Sequence, residues 1–312
     1  MKVSIIIPAY NVENYIGRTL KSCVEQSYPD IEVVVVNDGS TDKTAEIING
    51  FSDVRVVKLT QDNQGVSAAR NLGLQTATGE FCIFLDGDDW LETDAVKCLA
   101  EAYEREKCFI ISTYKDAYLQ DDTIKIVDNE TPLGSEGHCA WNGYAESSKP
   151  YFCMNSSCYK LYDVNIIREN GLFFDSTIQN GEDGLFVCQY LQYVNNIYYL
   201  PNQLWVILNR PDSASRRPFN SAQMSIFHAL DRMEKITQTD RDKKYFEWRK
   251  SERAYYLGWK LIQSKNRDPQ VIKEVNQRLR QGWATYIFGE TKLRWKAKYL
   301  FMMFWYVCHT YK

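Results

Sequence analysis

Four apolar runs, each closed by a polar cluster, constrain this chain most: "VSIIIP" from residue 3, "IEVVVVND" from 31, "VRVVKL" from 54 and "FCIFLD" from 81. They are rich in β-branched residues and read as strands covered on both faces. Between them the apolar period changes. Val12, Ile16, Leu20 and Val24 recur about one helical turn apart. "TDKTAEIINGF", "VSAARNLGLQTA" and "TDAVKCLAEAYERE" read as further helices, with Ser40 or Thr41 and then Thr93 as caps. "FIISTY" from 109 is a fifth strand. Strands alternating with helices of ten to fifteen residues point to an α/β fold with a mostly parallel sheet flanked by helices.

Ligands of such sheets bind beyond the carboxyl ends of the strands. Three turns are therefore expected to converge on one crevice: "PAYN" after the first strand, "NDGSTD" after the second and "DGDDW" after the fourth. Residues 117–215 are less regular, with Gly, Ser and Pro among short apolar pieces. From Phe219 the chain is helical in character and rich in Lys, Arg, Trp and Tyr. The expected division is 1–218 for the sheet domain, with halves 1–116 and 117–218, and 219–312 for a helical, basic appendage.

The acids carry the chemistry. Asp86 and Asp88 flank Gly87, which is expected to let the backbone turn so that both carboxylates face one side. Hard oxygen ligands that leave positions open suit Mg²⁺ or Mn²⁺ shared with substrate phosphates. Acidic turns also cap helices, and Asp89 or Thr93 fits that plainer role. Asp38 ends the second strand, either as an Asx turn or as an acceptor for a nucleotide base. No G-x-G-x-x-G follows the first strand, which disfavours a dinucleotide, and no P-loop motif is present. Nine cysteines without a C-x-x-C pair read as reduced thiols, and three histidines make a zinc site a poor expectation.

In order along the chain, "VSIIIPAYNVENYIGRTLKSCVEQSYPDIEVVVVNDGSTDKT", "NQGVSAARNLGLQTATGEFCIFLDGDDW" and "YKLYDVNIIRENGLFFDSTIQNGEDGLF" resemble family 2 of the glycosyltransferases. The resemblance covers about residues 1–215. It implies the GT-A (Rossmann-like) fold and transfer of a sugar, with inversion, from a nucleotide sugar. On matching positions it implies that Pro8, Ala9, Tyr10, Asn11 and Asp38 hold the uracil and ribose, with Glu13 a weaker candidate. Arg70 would reach the nucleotide or its diphosphate. Asp86 would touch ribose or metal-bound water, and Asp88 would bind the divalent cation, Mn²⁺ or Mg²⁺. Asp183 of "GEDGLF" would be the catalytic base, with Glu182 orienting its neighbours; both also suit the start of a helix. In "NRPDSASRR", Arg210 and Ser213 would lie near the diphosphate, and the histidine often found there is absent. The Q-x-x-R-W motif of processive synthases is incomplete in "TKLRW", which implies transfer of a single sugar.

Formal net charge is −3, but residues 241–312 hold 17 Lys and Arg against 6 Asp and Glu, a local +11 that leaves −14 on the first 240. A basic tail suits an anionic surface. "KLRWKAKYLFMMFWYVCHTYK" places Lys292, Arg294, Lys296 and Lys298 ahead of an aromatic run too short to span a bilayer. That run is expected to lie on a membrane surface, with Trp295, Trp305 and Tyr306 at headgroup depth. The alternative is that Leu300, Phe301 and Phe304 pack on the body or join subunits through the C-terminal helices. No nucleic acid is expected as a partner. With no leader ahead of the first strand, the expected setting is cytoplasmic, at the inner face of the membrane, in surface polysaccharide assembly. A saccharide or lipid-linked saccharide would be the acceptor. Trp141, Tyr144, Tyr151 and Tyr162 suit either stacking on sugar rings or a core. Two rivals remain: a sugar-phosphate nucleotidyltransferase, which should carry a Gly-rich basic loop after the first strand, and a non-catalytic nucleotide-sugar-binding protein.

Overall fold

The apolar runs become the strands β1 (Val3–Ala9), β2 (Ile31–Asp38), β3 (Val56–Gln61) and β4 (Phe81–Phe84) of a computed structural model. It describes residues 1–120, 123–129, 137–140, 156–210, 213, 218–237, 240–264, 268–288 and 293–310. Every residue of β1, β2 and β4 is buried, as continuous apolar runs require. The helices α1 (Ile16–Val24), α2 (Thr44–Gly50), α3 (Val66–Thr76) and α4 (Ala95–Glu106) fall between the strands. Further strands are β5 (Trp90–Leu91), β6 (Phe109–Gln120), β7 (Thr123–Val127), β8 (Gly137–Ala140), β9 (Lys160–Asp163) and β10 (Asn196–Asn209). The sheet runs β3-β2-β1-β4-β9-β6-β10-β5, with β7 on β6 and β8 on β10. β1 is parallel to β2 and β4, β2 to β3, and β6 to β10. β9 is antiparallel to both β4 and β6, so it reverses direction in the middle of the sheet, and β5, β7 and β8 pair antiparallel at its edges.

Several local expectations are corrected. α2 follows Lys43 without a side-chain cap; Ser40 Oγ instead accepts from the Asn11 N–H at 3.1 Å, and Thr41 N donates to Asn11 Oδ1 at 2.8 Å. α4 follows Asp94, again without a side-chain cap, while the Thr93 carbonyl accepts from Ser27 N. The stretch expected to be irregular contains the fourteen-residue β10. Pro201 hid it, because proline cannot donate to a ladder. The pairing with β6 shifts register between Tyr199 and Trp205, which is how the proline is accommodated. Tyr162 is fully buried between Phe84, Phe109, Phe186 and Tyr190, so it is core and not a platform for sugar. Trp141, Tyr144, Tyr151 and Lys292 lie outside the described residues.

The chain divides into two compact units: Met1–Ser176 with Phe186–Ser213, and Thr177–Leu185 with Ala214–Lys312. α5 (Val164–Glu169) lies in the first, and α6 (Glu182–Tyr190) starts in the second and ends in the first. The second unit holds α7 (Ser225–Ile236), α8 (Asp240–Ser264), α9 (Pro269–Phe288) and α10 (Leu293–Thr310). Its core includes Phe246, Leu257, Leu279 and Tyr299, whose hydroxyl donates to the Leu279 carbonyl at 2.7 Å. Asp231 takes ion pairs from both Lys250 and Arg278. On α10, Tyr299 and Met302 point inward, whereas Leu300, Phe301 and Phe304 are exposed; the expected alternative of packing for these three is corrected. No helix among the described residues is long and apolar enough to cross a membrane.

Candidate active site

The three turns of the first unit meet beyond the carboxyl ends of β1, β2 and β4. Pro8 and Ala9 finish β1 buried, Tyr10 is exposed, and Asn11 takes a left-handed backbone at φ 51°. That conformation suits Asn and lets it bridge to Ser40 and Thr41 of the second turn. Glu13 continues the stitching: its Oε2 accepts from Lys43 N at 2.9 Å. Gly87 lies in the expected turn, which the Asp89 N–H closes by donating to the Asp86 carbonyl at 3.1 Å, and it does so without a left-handed backbone. It is needed for close approach: a Cβ there would sit 3.0 Å from the Pro8 carbonyl oxygen and 3.3 Å from Val12.

Asp38 is buried, and its carboxylate accepts three hydrogen bonds, from Gln61 Nε2 at 2.7 Å and from the N–H groups of Gln64 and Gly65 at 2.9 Å each. The carboxylate thus joins "NDG" to "NQG" and sets the entry to α3, where Gly65 has φ 90°. Roughly four lone-pair sites exist on such a group, so one is left after this structural use.

The "DGDD" turn has a different economy of charge. Asp86 Oδ1 accepts from Arg70 at 2.8 Å, and that buried guanidinium lies 5.2 Å over the Phe174 ring. Asp88 Oδ2 accepts from Arg210 Nε at 2.8 Å, with Tyr15 beneath the guanidinium at 5.0 Å. Burial pushes the Asp88 pKa up, the Asp86 charge adds to it, and Arg210 pulls it back. Ser213 donates its N–H to the Arg210 carbonyl at 3.3 Å. Asp89 is not the helix starter suggested by its position. It is 4 % exposed, and its Oδ1 accepts from Leu208 N at 2.8 Å, anchoring the end of β10 beside the turn. Burial drives its pKa well up, with Asp88 and Asp86 adding to the effect.

Arg18, Tyr15 and Gln61 were not singled out in the sequence. Arg18 stacks 3.7 Å over Trp90 and donates to the Asp88 carbonyl at 3.3 Å. Its Nε is buried and takes no hydrogen bond among the described residues. Only their helical spacing from Val12 and Ile16 hinted which way Tyr15 and Arg18 turn.

In the second unit, Glu182 and Asp183 occupy the first turn of α6 and are half-buried. Gly181 ahead of them has φ 94°, and a Cβ there would lie 2.6 Å from Ile226 Cδ1. Ser225 Oγ accepts from Gln179 N and Asn180 N at 3.1 and 3.0 Å, so α7 holds this turn.

The profile of Glycosyl transferase family 2 matches residues 4–169, just over half of the chain. The chain belongs to this family. A glycosyltransferase, GlyA, of Streptococcus pneumoniae is 34 % identical over 233 residues, covering 69 % of this chain and 32 % of that protein. EpsH of Bacillus subtilis, a putative glycosyltransferase by name, is 36 % identical, covering 65 % of this chain and 59 % of its own length. These matches leave a third or more of each relative unaligned. Among solved structures, residues 1–349 of Staphylococcus aureus TarS in complex with UDP-GlcNAc superpose with a TM-score of 0.70 at 20 % identity, covering 97 % of this chain and 89 % of that one. The same protein with UDP gives 0.68 at 18 % identity. The likeness is one of fold, and the GT-A architecture implied by the motifs is the one observed.

A divalent cation is implied by the family. The donor chemistry of the turn fits one: Asp88 offers carboxylate oxygens two residues from those of Asp86, and its pKa is raised by burial and by the Asp86 charge. Among the described residues no three His, Cys, Asp or Glu side chains gather as a cage. The arrangement therefore suits Mg²⁺ or Mn²⁺ held by one or two carboxylates, with phosphate and water completing the shell.

Proposed function

We propose that this glycosyltransferase moves one sugar, with inversion, from a UDP-sugar to a hydroxyl of a saccharide or lipid-linked saccharide. The observation that carries the reading is the "DGDD" turn at the strand ends, where Asp86 pairs with Arg70 and Asp88 with Arg210, each at 2.8 Å. UDP as the nucleotide draws support from the TarS structures, which hold UDP and UDP-GlcNAc. In this reading Pro8 to Asn11 line the nucleoside, and Asp38 offers its remaining lone pair to the uracil N3–H. Arg70 and Arg210 face the diphosphate, with Ser213 beside Arg210. Asp88, aided by Asp86, would hold a divalent cation, which would supply positive charge against the departing diphosphate. Asp183 takes the proton from the acceptor hydroxyl as its oxygen bonds to the anomeric carbon and the bond from that carbon to the diphosphate oxygen breaks. Glu182 orients that turn.

Incubating the protein with UDP-sugars, Mn²⁺ and water should release UDP slowly. Release of pyrophosphate would favour a nucleotidyltransferase instead, and inertness a binding protein. Asp183→Asn should lower turnover by ~10²–10⁴-fold while leaving UDP affinity within twofold. A variant retaining half of the activity would remove Asp183 as the base.

The exposed Leu300, Phe301 and Phe304 on α10, with the basic sequence ahead of them, support attachment to an anionic membrane at its cytoplasmic face. Flotation with anionic liposomes at low salt should carry the full chain upward, but not a chain ending at Glu290. If both remain in the soluble fraction, the exposed face serves contact between subunits.

A further inference from the structure

A cavity of about 270 Å³ opens in the first unit, at the other end of the sheet from the carboxylates. Its lining places it there without ambiguity. Phe81, Phe109 and Asn196 are the first residues of the parallel strands β4, β6 and β10, and Asp163 is the last residue of the antiparallel β9. Asp86, by contrast, follows the carboxyl end of β4. Five residues of extended chain separate it from Phe81, roughly 16 Å at ~3.3 Å per residue. The cavity is therefore not part of the donor site.

Its walls combine two chemistries. Phe81 and Tyr103 meet at 4.4 Å and Phe109 and Tyr190 at 4.9 Å, which places four packed rings in its lining. Tyr193 adds a fifth ring that is 48 % exposed. The rim carries planar hydrogen-bonding side chains, Asp163, Asn195 and Asn196. Lys107 is the one cation of the lining, and it is ion-paired with Glu104. Asp163 in the same lining disfavours anions, so phosphates and nucleotides are poor candidates. A purely apolar ligand would strip water from the carboxamides without replacing their hydrogen bonds. A ligand with an apolar face and a hydroxyl edge satisfies both surfaces, and a pyranose ring has that form. The volume is just under the ~300–1,000 Å³ of drug-sized sites, which suits a ligand of about one ring with its hydroxyls.

We propose that this cavity is a second saccharide-binding site, taking a neutral pyranose unit against the rings of Tyr193 and its neighbours, with Asn195, Asn196 and Asp163 on the hydroxyls. Its use, to grip an acceptor chain away from the point of transfer, rests on the transferase reading above. The binding itself does not.

The test is saturation-transfer NMR on the full chain with glucose, galactose, N-acetylglucosamine and cellobiose, each with and without saturating UDP and Mn²⁺. At least one sugar should receive saturation that UDP leaves unchanged. That signal should fall at least fivefold in Tyr193→Ala and in Asn196→Ala. Both residues are exposed, so folding should survive, and unchanged circular dichroism and UDP calorimetry would establish it. Should either variant misfold, Asn195→Ala takes its place. Absence of saturation for all four sugars, displacement by UDP, or indifference to the substitutions would each overturn the proposal. UDP affinity is read separately, so failure here leaves the donor site standing, and failure of UDP binding leaves this cavity untouched.

Discussion

Two carboxylates at opposite ends of the same sheet, Glu32 buried and Asp88 half-buried, are treated in opposite ways. Glu32, near the start of β2, accepts from Ser4 Oγ, Thr78 N, Thr78 Oγ1, Gly79 N and Lys2 Nζ. Burial alone would raise its pKa, but these bonds outweigh it and bring the group down to about 2. Asp88, beyond the far end of β4, has one arginine and a neighbouring like charge, and its pKa is raised. The amino end of the sheet uses a carboxylate as a staple whose donors are all supplied by the fold. The carboxyl end keeps one that more positive charge would stabilise. A half-buried acid whose pKa is raised by desolvation and a like charge suits a place where further positive charge can bind.

The comparison breaks first at Asp88. Asp88→Asn should cost transfer on the order of 10²–10³-fold and abolish metal-dependent UDP binding. The melting temperature should barely move, because the amide oxygen can still accept from Arg210 Nε. Calorimetry with UDP and Mn²⁺ reads the binding, and an unchanged affinity would show that the turn is structural.

Glu32→Ala should do the reverse. Several buried donors lose their acceptor, which costs ~1–3 kcal/mol and several degrees of melting temperature, with UDP affinity unchanged. The sign of the pH dependence follows from the lowered pKa. Unfolded, the group titrates at its ordinary 4.5; folded, at about 2. Its stabilisation is complete above pH 4.5 and is lost as pH falls toward 2. An acid-unfolding scan of Glu32→Ala should therefore converge on the parent at the low end. A constant gap down to pH 2 would contradict the staple.

The smallest effect is expected at Asp89. Asp89→Asn keeps an oxygen for Leu208 N and removes a charge that its surroundings disfavour. Stability should stay within about 1 kcal/mol of the parent and metal-dependent UDP binding within a fewfold. A loss as large as that of Asp88→Asn would mean that the two acids act as one unit.

Much of the candidate site was legible because its residues sit in short motifs beside strong strand signals. Asp38, Asp86 and Asp88 each close or follow an apolar run, so the parallel-sheet rule placed them before any coordinates were needed. The misreading of Asp89 has a plain cause. It looked like a capping residue, since a sequence shows only what lies a few positions away. Its actual partner, Leu208, is brought up by folding, as is Pro8, whose carbonyl leaves no room for a side chain at Gly87.

The sequence by itself determined the class of fold, the order of the first strands and helices and the family, because periodicity and motif spacing are local properties that each segment carries alone. Only the tertiary structure decided that β9 would enter between β4 and β6, and that β10 would run through a proline by shifting its register. It also decided which carboxylates would be satisfied and which left wanting, and that Phe81, Phe109, Asp163 and Asn196 would wall one cavity. The physical reason is the same in each case. The partner of a buried polar group or an aromatic face is chosen by which distant segments pack together, and that choice minimises the free energy of the whole chain, not of any window within it.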